Sequence, residues 1–542
     1  MSSLFSRICS SLKRRRARSD SDHFIRALAR QVSRNAQPSN GQPRPDQGQP
    51  VLIFNSSTRL SGLSLNAAYS LLTHWSLRLH GARVIQVVCR SGLSPCVLGT
   101  DRYDPGAEPP CAHCVQQSQT LFAGADVRWL AYRPDKVLQE RLIYLDLADL
   151  VQFKYEGLPL GALVLPSLRW ILRRHHLEAD AITLMLYRQY ILSAWSTAQQ
   201  FEALIADLQP QAVVVFNGMF YPEATARHIA RQHGLRVIAH EVGMQPFSAF
   251  FTTGDATAYP IDIPESFELT PEQDAHLDQY LEQRFQGNFT MAGVRFWPEM
   301  QSLSPDFWQR ASQFRQIVPV FTNVIFDTSQ GHANVVFEHM FAWLDLVLEV
   351  VKAHPETFFV VRAHPDEARP GKKSMESVAG WVRSSGADRL PNVLFVNSTE
   401  YFSSYELIQR SKFVMVYNST IGLEAALLEA AVLCGGRARF TQLPTVFFPP
   451  TPEAYRQAAE DFLAAEKIAI PVEFRRNARR FLHYQLFRTS LPFGDFLRDD
   501  GFWQGYVAIK PIEWTALLPK NSKTLNTIVR GILHDTPFLL EE

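Results

Sequence analysis

Cysteine is scarce in this 542-residue chain, six in all, which fits a reducing compartment and excludes a disulfide scaffold. No stretch approaches the roughly 18–20 uninterrupted apolar residues that cross a bilayer. GLPLGALVLPSL (157–168) is too short and holds two prolines. The amino terminus is basic but carries no apolar segment ending in a cleavage site, so secretion is not expected. Charge of one sign is missing too, with 54 Lys and Arg against 53 Asp and Glu. That balance hides an asymmetry: residues 1–50 hold ten Lys and Arg against three Asp, about +7, which leaves the remainder at about −6. A mildly acidic body advertises no nucleic-acid groove. The expectation is a soluble, cytoplasmic protein with no nucleic-acid partner.

What is present is an ordinary globular composition, 46% hydrophobic and 20% charged, in a chain long enough for two domains of similar size. Residues 1–20 read as unstructured. DHFIRALARQVSR (22–34) places Ile25, Leu28 and Val32 on one helical face and Arg26, Arg30 and Arg34 on another. Such a helix either rests on the anionic inner face of a membrane or belongs to a partly ordered tail. QPSNGQPRPDQGQP (37–50) is a linker by composition, so residues 1–50 read as a disordered basic tail and linker.

From VLIF (51–54) onward, near-continuous apolar strands alternate with helices: RVIQVVC (83–89), AVVVF (212–216) and RVIAHEVG (236–243) first, then VPVFTN (318–323), FFVVRAHP (358–365), VLFVNS (393–398), KFVMVYNS (412–419) and VLCGG (432–436). Strands apolar throughout belong to parallel sheets covered on both faces. The fold class expected is α/β, two Rossmann-like doubly wound domains with a cleft between them. Their expected bounds are 51–310, with a helical insertion, and 311–490, followed by a carboxyl-terminal extension, 491–542.

In the second series every strand ends in polar or small residues: Thr322-Asn323, Arg362-Ala363-His364, Asn397-Ser398, Asn418-Ser419-Thr420 and Gly435-Gly436. In a parallel sheet these ends share one edge, where open α/β sheets bind ligands. Helix amino termini facing that edge suit phosphate. Ser419 and Thr420 either cap their helix or donate to a phosphate oxygen. Glu424 either answers the helix dipole or accepts hydrogen bonds from the adjacent hydroxyls of a ribose. His364 projects at the edge because Pro365 ends its strand. Arg362, Arg369, Lys372 and Lys373 add positive charge.

FTNVIFD (321–327), RAHPDE (362–367), SSYELI (403–408) and YNSTIGLEAA (417–426), in that order, resemble the capsule polysaccharide biosynthesis family, over roughly residues 315–440. Its better-known relatives are bacterial capsule sugar transferases of the two-domain GT-B architecture. The resemblance implies a glycosyltransferase that moves a sugar from a nucleotide-activated donor, held by the carboxyl-terminal domain, to a growing capsular glycan or its lipid-linked precursor. It implies that His364 faces the donor phosphate, with Ser419 and Thr420 in support and Glu424 on the ribose. Asn323, Arg362 and Asn418 complete the expected binding set, and Ser403 with Glu406 is expected to form a capping box. Such transferases typically bind no metal, so helix ends and basic side chains balance the leaving group. For deprotonating the acceptor hydroxyl, Glu241 is the favoured base, with His240 and Asp327 as alternatives.

Two other readings of the same fold stand beside this one, a nucleotide-sugar 2-epimerase and a non-catalytic assembly protein. Cys96 and the Cys111-x-x-Cys114 pair make half of a zinc site, for which Cys89 or His113 is the remaining candidate. Unmodified thiols are the plainer expectation, so no cofactor is assigned.

Overall fold

The computed structural model describes residues 2–36, 48–55, 62–93, 95–286, 302–369, 371–502 and 505–541, with backbone only for residues 2–17 and Asn55. Most of the expected linker, 37–47, and the loop 56–61 lie outside the described residues. The first half supplies strands β1 (Val51–Asn55), β2 (Leu63–Ser64), β3 (Val84–Cys89), β4 (Asp126–Leu130), β5 (Ala212–Phe216), β6 (Arg236–Val242) and β7 (Ser248–Thr252). The second half supplies β8 (Gln316–Phe321), β9 (Thr357–Arg362), β10 (Val393–Val396), β11 (Val414–Val416) and β12 (Val432–Cys434). Last come β13 (Leu491–Pro492), β14 (Leu497–Asp499) and β15 (Tyr506–Ile509).

One sheet runs β13-β7-β6-β5-β1-β3-β4 and the other β10-β9-β8-β11-β12. The second is parallel throughout, and the first is parallel except where β7 and β13 join antiparallel at its edge. This is the expected pair of doubly wound α/β units. Their strands are apolar on both faces because both are covered. On β1, Leu52 and Phe54 face the inserted helices (Lys136–Ile143, Leu147–Gln152, Leu160–Leu172, Ala181–Leu208), while Val51 and Ile53 face the helix Leu65–Leu79. Val318 and Val320 likewise face the helix Met340–Ala353, and Phe321 and Val416 face the opposite core.

Three expectations about chain organisation change. Ser2–Asn35 is one helix rather than an unstructured segment and tail. Its apolar face, Ile25, Leu28, Ala29 and Val32, is buried in the core of the first domain. At roughly 1.5–3 kcal/mol for each larger side chain, that burial ties the helix down. Arg26 donates to Thr120 Oγ1 at 2.8 Å and Ser33 to the Gly124 carbonyl at 3.0 Å. The apolar face for which a membrane surface was one of two readings is therefore covered by protein.

The domain boundary falls near residue 260, not 310. Leu277 and Leu281 of the helix Pro271–Phe285, with Phe307 and Ala311 of Pro305–Ala311, share a core with Phe358, Val360 and Val416 of the second sheet. The carboxyl-terminal segment, in turn, returns to the first domain. β13 pairs with β7, β15 pairs with β2, and the helix Lys523–His534 buries Leu525, Ile528 and Ile532 against the core that holds Val51 and Ile53. Among the described residues, no helix is long and apolar enough to cross a membrane.

Candidate active site

In the second sheet the chain winds from β8 out through β9 to β10, then returns to β11 on the other side of β8. Where such a sheet reverses, the loops after the two neighbouring strands diverge and leave a crevice at their carboxyl ends. Asn323 follows β8 and Asn418 follows β11, and Asn323 Nδ2 donates to Asn418 Oδ1 at 2.7 Å across that crevice. Asn323 Oδ1 accepts the Val324 N–H at 2.8 Å, which fixes the orientation of the amide. The bond between the two amides holds the loops at a set spacing.

Above it lies a cleft of about 420 Å³ to which both domains contribute. Asn323, Asp327, His364, Asn418, Ser419 and Thr420 line it from the second domain, with Trp170, Arg173 and Thr257 opposite. Five of the expected site residues are thus brought together. Thr420 precedes the helix Ile421–Leu427 and makes no side-chain capping bond, so its hydroxyl is not spent on the helix. His364 Nδ1 accepts the Asp366 N–H at 3.1 Å, which in the neutral ring puts the proton on Nε2. Burial, chiefly, holds the His364 pKa below the usual imidazole value, with Arg362 adding to the effect and Asp366 and Asp327 opposing it. The neutral Nε2–H donor is therefore the form the site favours.

Glu424 and Arg362 are corrections. Both Glu424 oxygens are occupied within the protein. Oε1 accepts from Arg284 Nε at 3.0 Å and Nη2 at 2.5 Å, and Oε2 accepts from the Tyr405 hydroxyl at 2.6 Å. Arg284 and Glu424 are both buried, in the core behind the sheet rather than in the cleft, so the carboxylate anchors the helix Pro271–Phe285 and does not meet a ribose. Arg362 donates to the Phe402 carbonyl and to Ser404, fixing the start of the helix Ser404–Gln409 away from the cleft. Its burial lowers its pKa to about 10.

Glu241, at the end of β6, does not line the cleft either. Asn217 Nδ2 donates to Oε2 at 2.7 Å, while Asn66 Nδ2 and the Val242 N–H donate to Oε1 at 3.3 and 2.9 Å. Burial raises its pKa more than those three bonds lower it, and the charge of Asp327 raises it further. His240 is a core residue stacked on Phe251 at 5.2 Å, and burial lowers its pKa to about 3. Asp327 is the base candidate that the cleft contains. It is exposed, and its Oδ2 accepts from the backbone and hydroxyl of Ser329.

Other cationic side chains supply the positive charge that Arg362 does not. Lys372, Arg437 and Arg439 line the same cleft. Arg437 directly follows the Gly435-Gly436 tip of β12, so its place at the sheet edge was readable from the strand pattern. The two glycines serve packing: a Cβ on Gly435 would sit 2.5 Å from the Trp343 ring, and one on Gly436 3.0 Å from Tyr417. Arg439 lies 3.5 Å over the Tyr259 ring, and Gln442 Nε2 donates to the Tyr259 carbonyl at 2.9 Å, joining this wall to the first domain.

Of the expected capping box, Ser403 Oγ accepts the Glu406 N–H, but the Glu406 carboxylate turns instead to the Leu303 N–H at 2.7 Å. Cys89 and Cys96 accept N–H bonds from Gly92 and Gly99. Among the described residues no three His, Cys, Asp or Glu side chains are placed to hold a metal ion. Cys96, Cys111 and Cys114 thus form no such group with Cys89 or His113.

Comparison with known proteins gives one sequence-level match. Residues 305–443 match the family described as capsule polysaccharide biosynthesis protein, a segment that contains all four motifs noted above. No curated protein matches the chain. Among solved structures, the chain is similar to KpsC, beta Kdo 2,4 transferase, of Thermosulfurimonas dismutans, with 14% identity over 52% of this chain and 80% of that one, TM-score 0.34. It is also similar to UDP-GlcNAc 2-epimerase of Neisseria meningitidis bound to UDP-GlcNAc, 10% identical over 80% and 95%, TM-score 0.23. Sucrose-phosphate synthase of Thermosynechococcus elongatus is 12% identical over 81% and 95%, TM-score 0.27. At these values the structural likenesses assign no role to any residue.

Proposed function

Because residues 305–443 match the capsule polysaccharide biosynthesis family, we propose that the chain is a glycosyltransferase. It moves a sugar from a nucleotide-activated donor to a growing surface polysaccharide or its lipid-linked precursor. The observation that carries this reading is the cleft at the switch point of the second sheet, where hydroxyls, the His364 imidazole and four cationic side chains, Arg173, Lys372, Arg437 and Arg439, converge.

In this reading the donor's phosphates lie against Ser419, Thr420 and Arg437, with His364 Nε2–H donating to the leaving oxygen. Lys372 and Arg439 offset the negative charge that develops as the sugar departs; such preorganised charge acts most strongly in a cleft that excludes water. Asp327 faces the acceptor side and takes the proton of the attacking hydroxyl. Glu241 lies behind it with its carboxylate held by three donors, and its role is to order the first domain's edge. Whether the anomeric configuration inverts follows from which face of the sugar Asp327 addresses.

The test is a thermal-shift panel of nucleotides and nucleotide sugars on the full chain. A ligand at 100 times its dissociation constant stabilises the fold by roughly 2.7 kcal/mol. His364→Ala and Arg437→Ala are each expected to remove about half of that shift, as a tenfold loss of affinity does, while leaving the unliganded protein folded. A panel with no response, or both variants responding like wild type, overturns the reading. Incubating the responding nucleotide sugar without acceptor separates a transferase, which leaves the sugar's stereochemistry intact, from an epimerase, which does not.

A further inference from the structure

Four arginines are buried among the described residues: Arg173, Arg284, Arg362 and Arg480. Three have protein acceptors. Arg284 pairs with Glu424, Arg362 donates to the Phe402 carbonyl and Ser404, and Arg480 donates to the Phe267 and Pro264 carbonyls. Arg173 is different. It is only 1% exposed, yet its Nε and Nη1 have no hydrogen-bond partner, and it lines the cleft. A buried donor without an acceptor costs free energy, the more so on a charged group, so its retention calls for an acceptor that arrives from outside the chain.

The placement of Arg173 is also constrained. It ends the helix Leu160–Leu172 in the left-handed region (φ 58, ψ 36), an uncommon conformation for a non-glycine residue. Its carbonyl accepts the Met375 N–H at 2.9 Å, which ties it to the second domain. The guanidinium carbon lies 4.0 Å from the Trp170 ring centroid and 4.9 Å from that of Phe326. A guanidinium held by ring faces keeps its N–H edge available, and that edge matches two oxygens of one oxyanion. Arg102 adds a second positive charge nearby, and the Asp327 carboxylate, the one negative charge that acts on Arg173, hydrogen-bonds Ser329 and leaves the Nε and Nη1 donors without an acceptor.

We propose that Arg173 is an anion-binding residue contributed by the first domain, which receives a substrate oxyanion other than the donor's phosphates. This deepens the transferase reading and rests on it: the oxyanion is either the carboxylate of an acidic sugar or the phosphate of a lipid-linked acceptor. Two simple probes separate the sources. Glucuronate and glycerol 3-phosphate, with glucose as neutral control, are titrated into the full chain and into Arg173→Met, with binding read by ligand-detected NMR.

At least one anion is expected to bind wild type and to bind Arg173→Met at least tenfold more weakly, with glucose unaffected. Glucuronate alone identifies the acidic sugar, glycerol 3-phosphate alone the acceptor phosphate. Without ligand, Arg173→Met is expected to melt at or above the wild-type temperature, because it removes a buried charge whose Nε and Nη1 donors have no acceptor. If Arg173→Met does not fold, Arg173→Lys keeps the charge without the fork and is expected to show the same loss. Failure of both anions to bind wild type overturns the proposal, as does unchanged affinity in the variant. The nucleotide panel fails or succeeds independently of these probes, so the two readings can fall separately.

Discussion

At the carboxyl edge of the first sheet a half-buried carboxylate, Glu241, accepts from Asn217, Asn66 and the Val242 N–H, all from its own domain. At the same edge of the second sheet the amides of Asn323 and Asn418 engage each other, while Thr420, His364 and Arg437 face a cleft. Both edges have the same strand winding and differ in how their polar groups are satisfied. The first edge closes on itself; the second directs donors outward. Topology fixes where a ligand can sit, and donors that face a cleft decide which of two equivalent edges receives it.

The sharpest way to break this contrast is to disturb the support behind the second edge. Glu424→Ala leaves Arg284 charged and buried, and is expected to cost about 3–5 kcal/mol in urea denaturation. A loss of nucleotide binding without loss of stability would instead return Glu424 to the ligand.

Glu367 gives a pH test of the same region. It is 3% exposed and accepts the Val378 N–H, and burial pushes its pKa up to about 8 from 4.5. Between those values the native chain keeps a proton that the unfolded chain has released, so raising the pH favours unfolding. The expected slope is a loss of up to about 1.4 kcal/mol per pH unit between pH 5 and 8, absent in Glu367→Gln. Equal slopes for the two proteins would contradict this.

Arg437→Ala removes an exposed cation from the cleft. It is expected to weaken nucleotide binding on the order of tenfold, with a stability change within ±0.5 kcal/mol. Asn418→Ala breaks the bond between the two loops and is expected to cost roughly 1 kcal/mol, together with a smaller loss of affinity. If Asn217→Ala in the first sheet weakens nucleotide binding as much as Asn418→Ala, the two edges are not functionally distinct.

The parts of this architecture that depend on local periodicity were legible in the sequence. The strands of both sheets, the polar tips and the assembly of Asn323, His364, Asn418, Ser419 and Thr420 follow from apolar runs ending in polar residues. What was not legible depends on contacts across long separations. The partner of Glu424 is Arg284, 140 positions earlier, in a stretch that the sequence assigned to the first domain. Arg173 comes from the inserted helices, where no local pattern announces a cleft. The helix Ser2–Asn35 reads as a solvated basic tail until the first domain's core supplies a surface for Ile25, Leu28 and Val32.

The return of the carboxyl-terminal segment has a mechanical consequence. The chain passes between domains twice, near residue 260 and near residue 490. Ser490 Oγ accepts the Met244 N–H at 2.9 Å, while Tyr259 donates to the Val242 carbonyl at 2.7 Å, so both crossings lie against the end of β6. Two adjacent covalent connections make a pivot with one axis: the jaws can swing apart around the end of β6, but sliding or twisting would strain one crossing against the other.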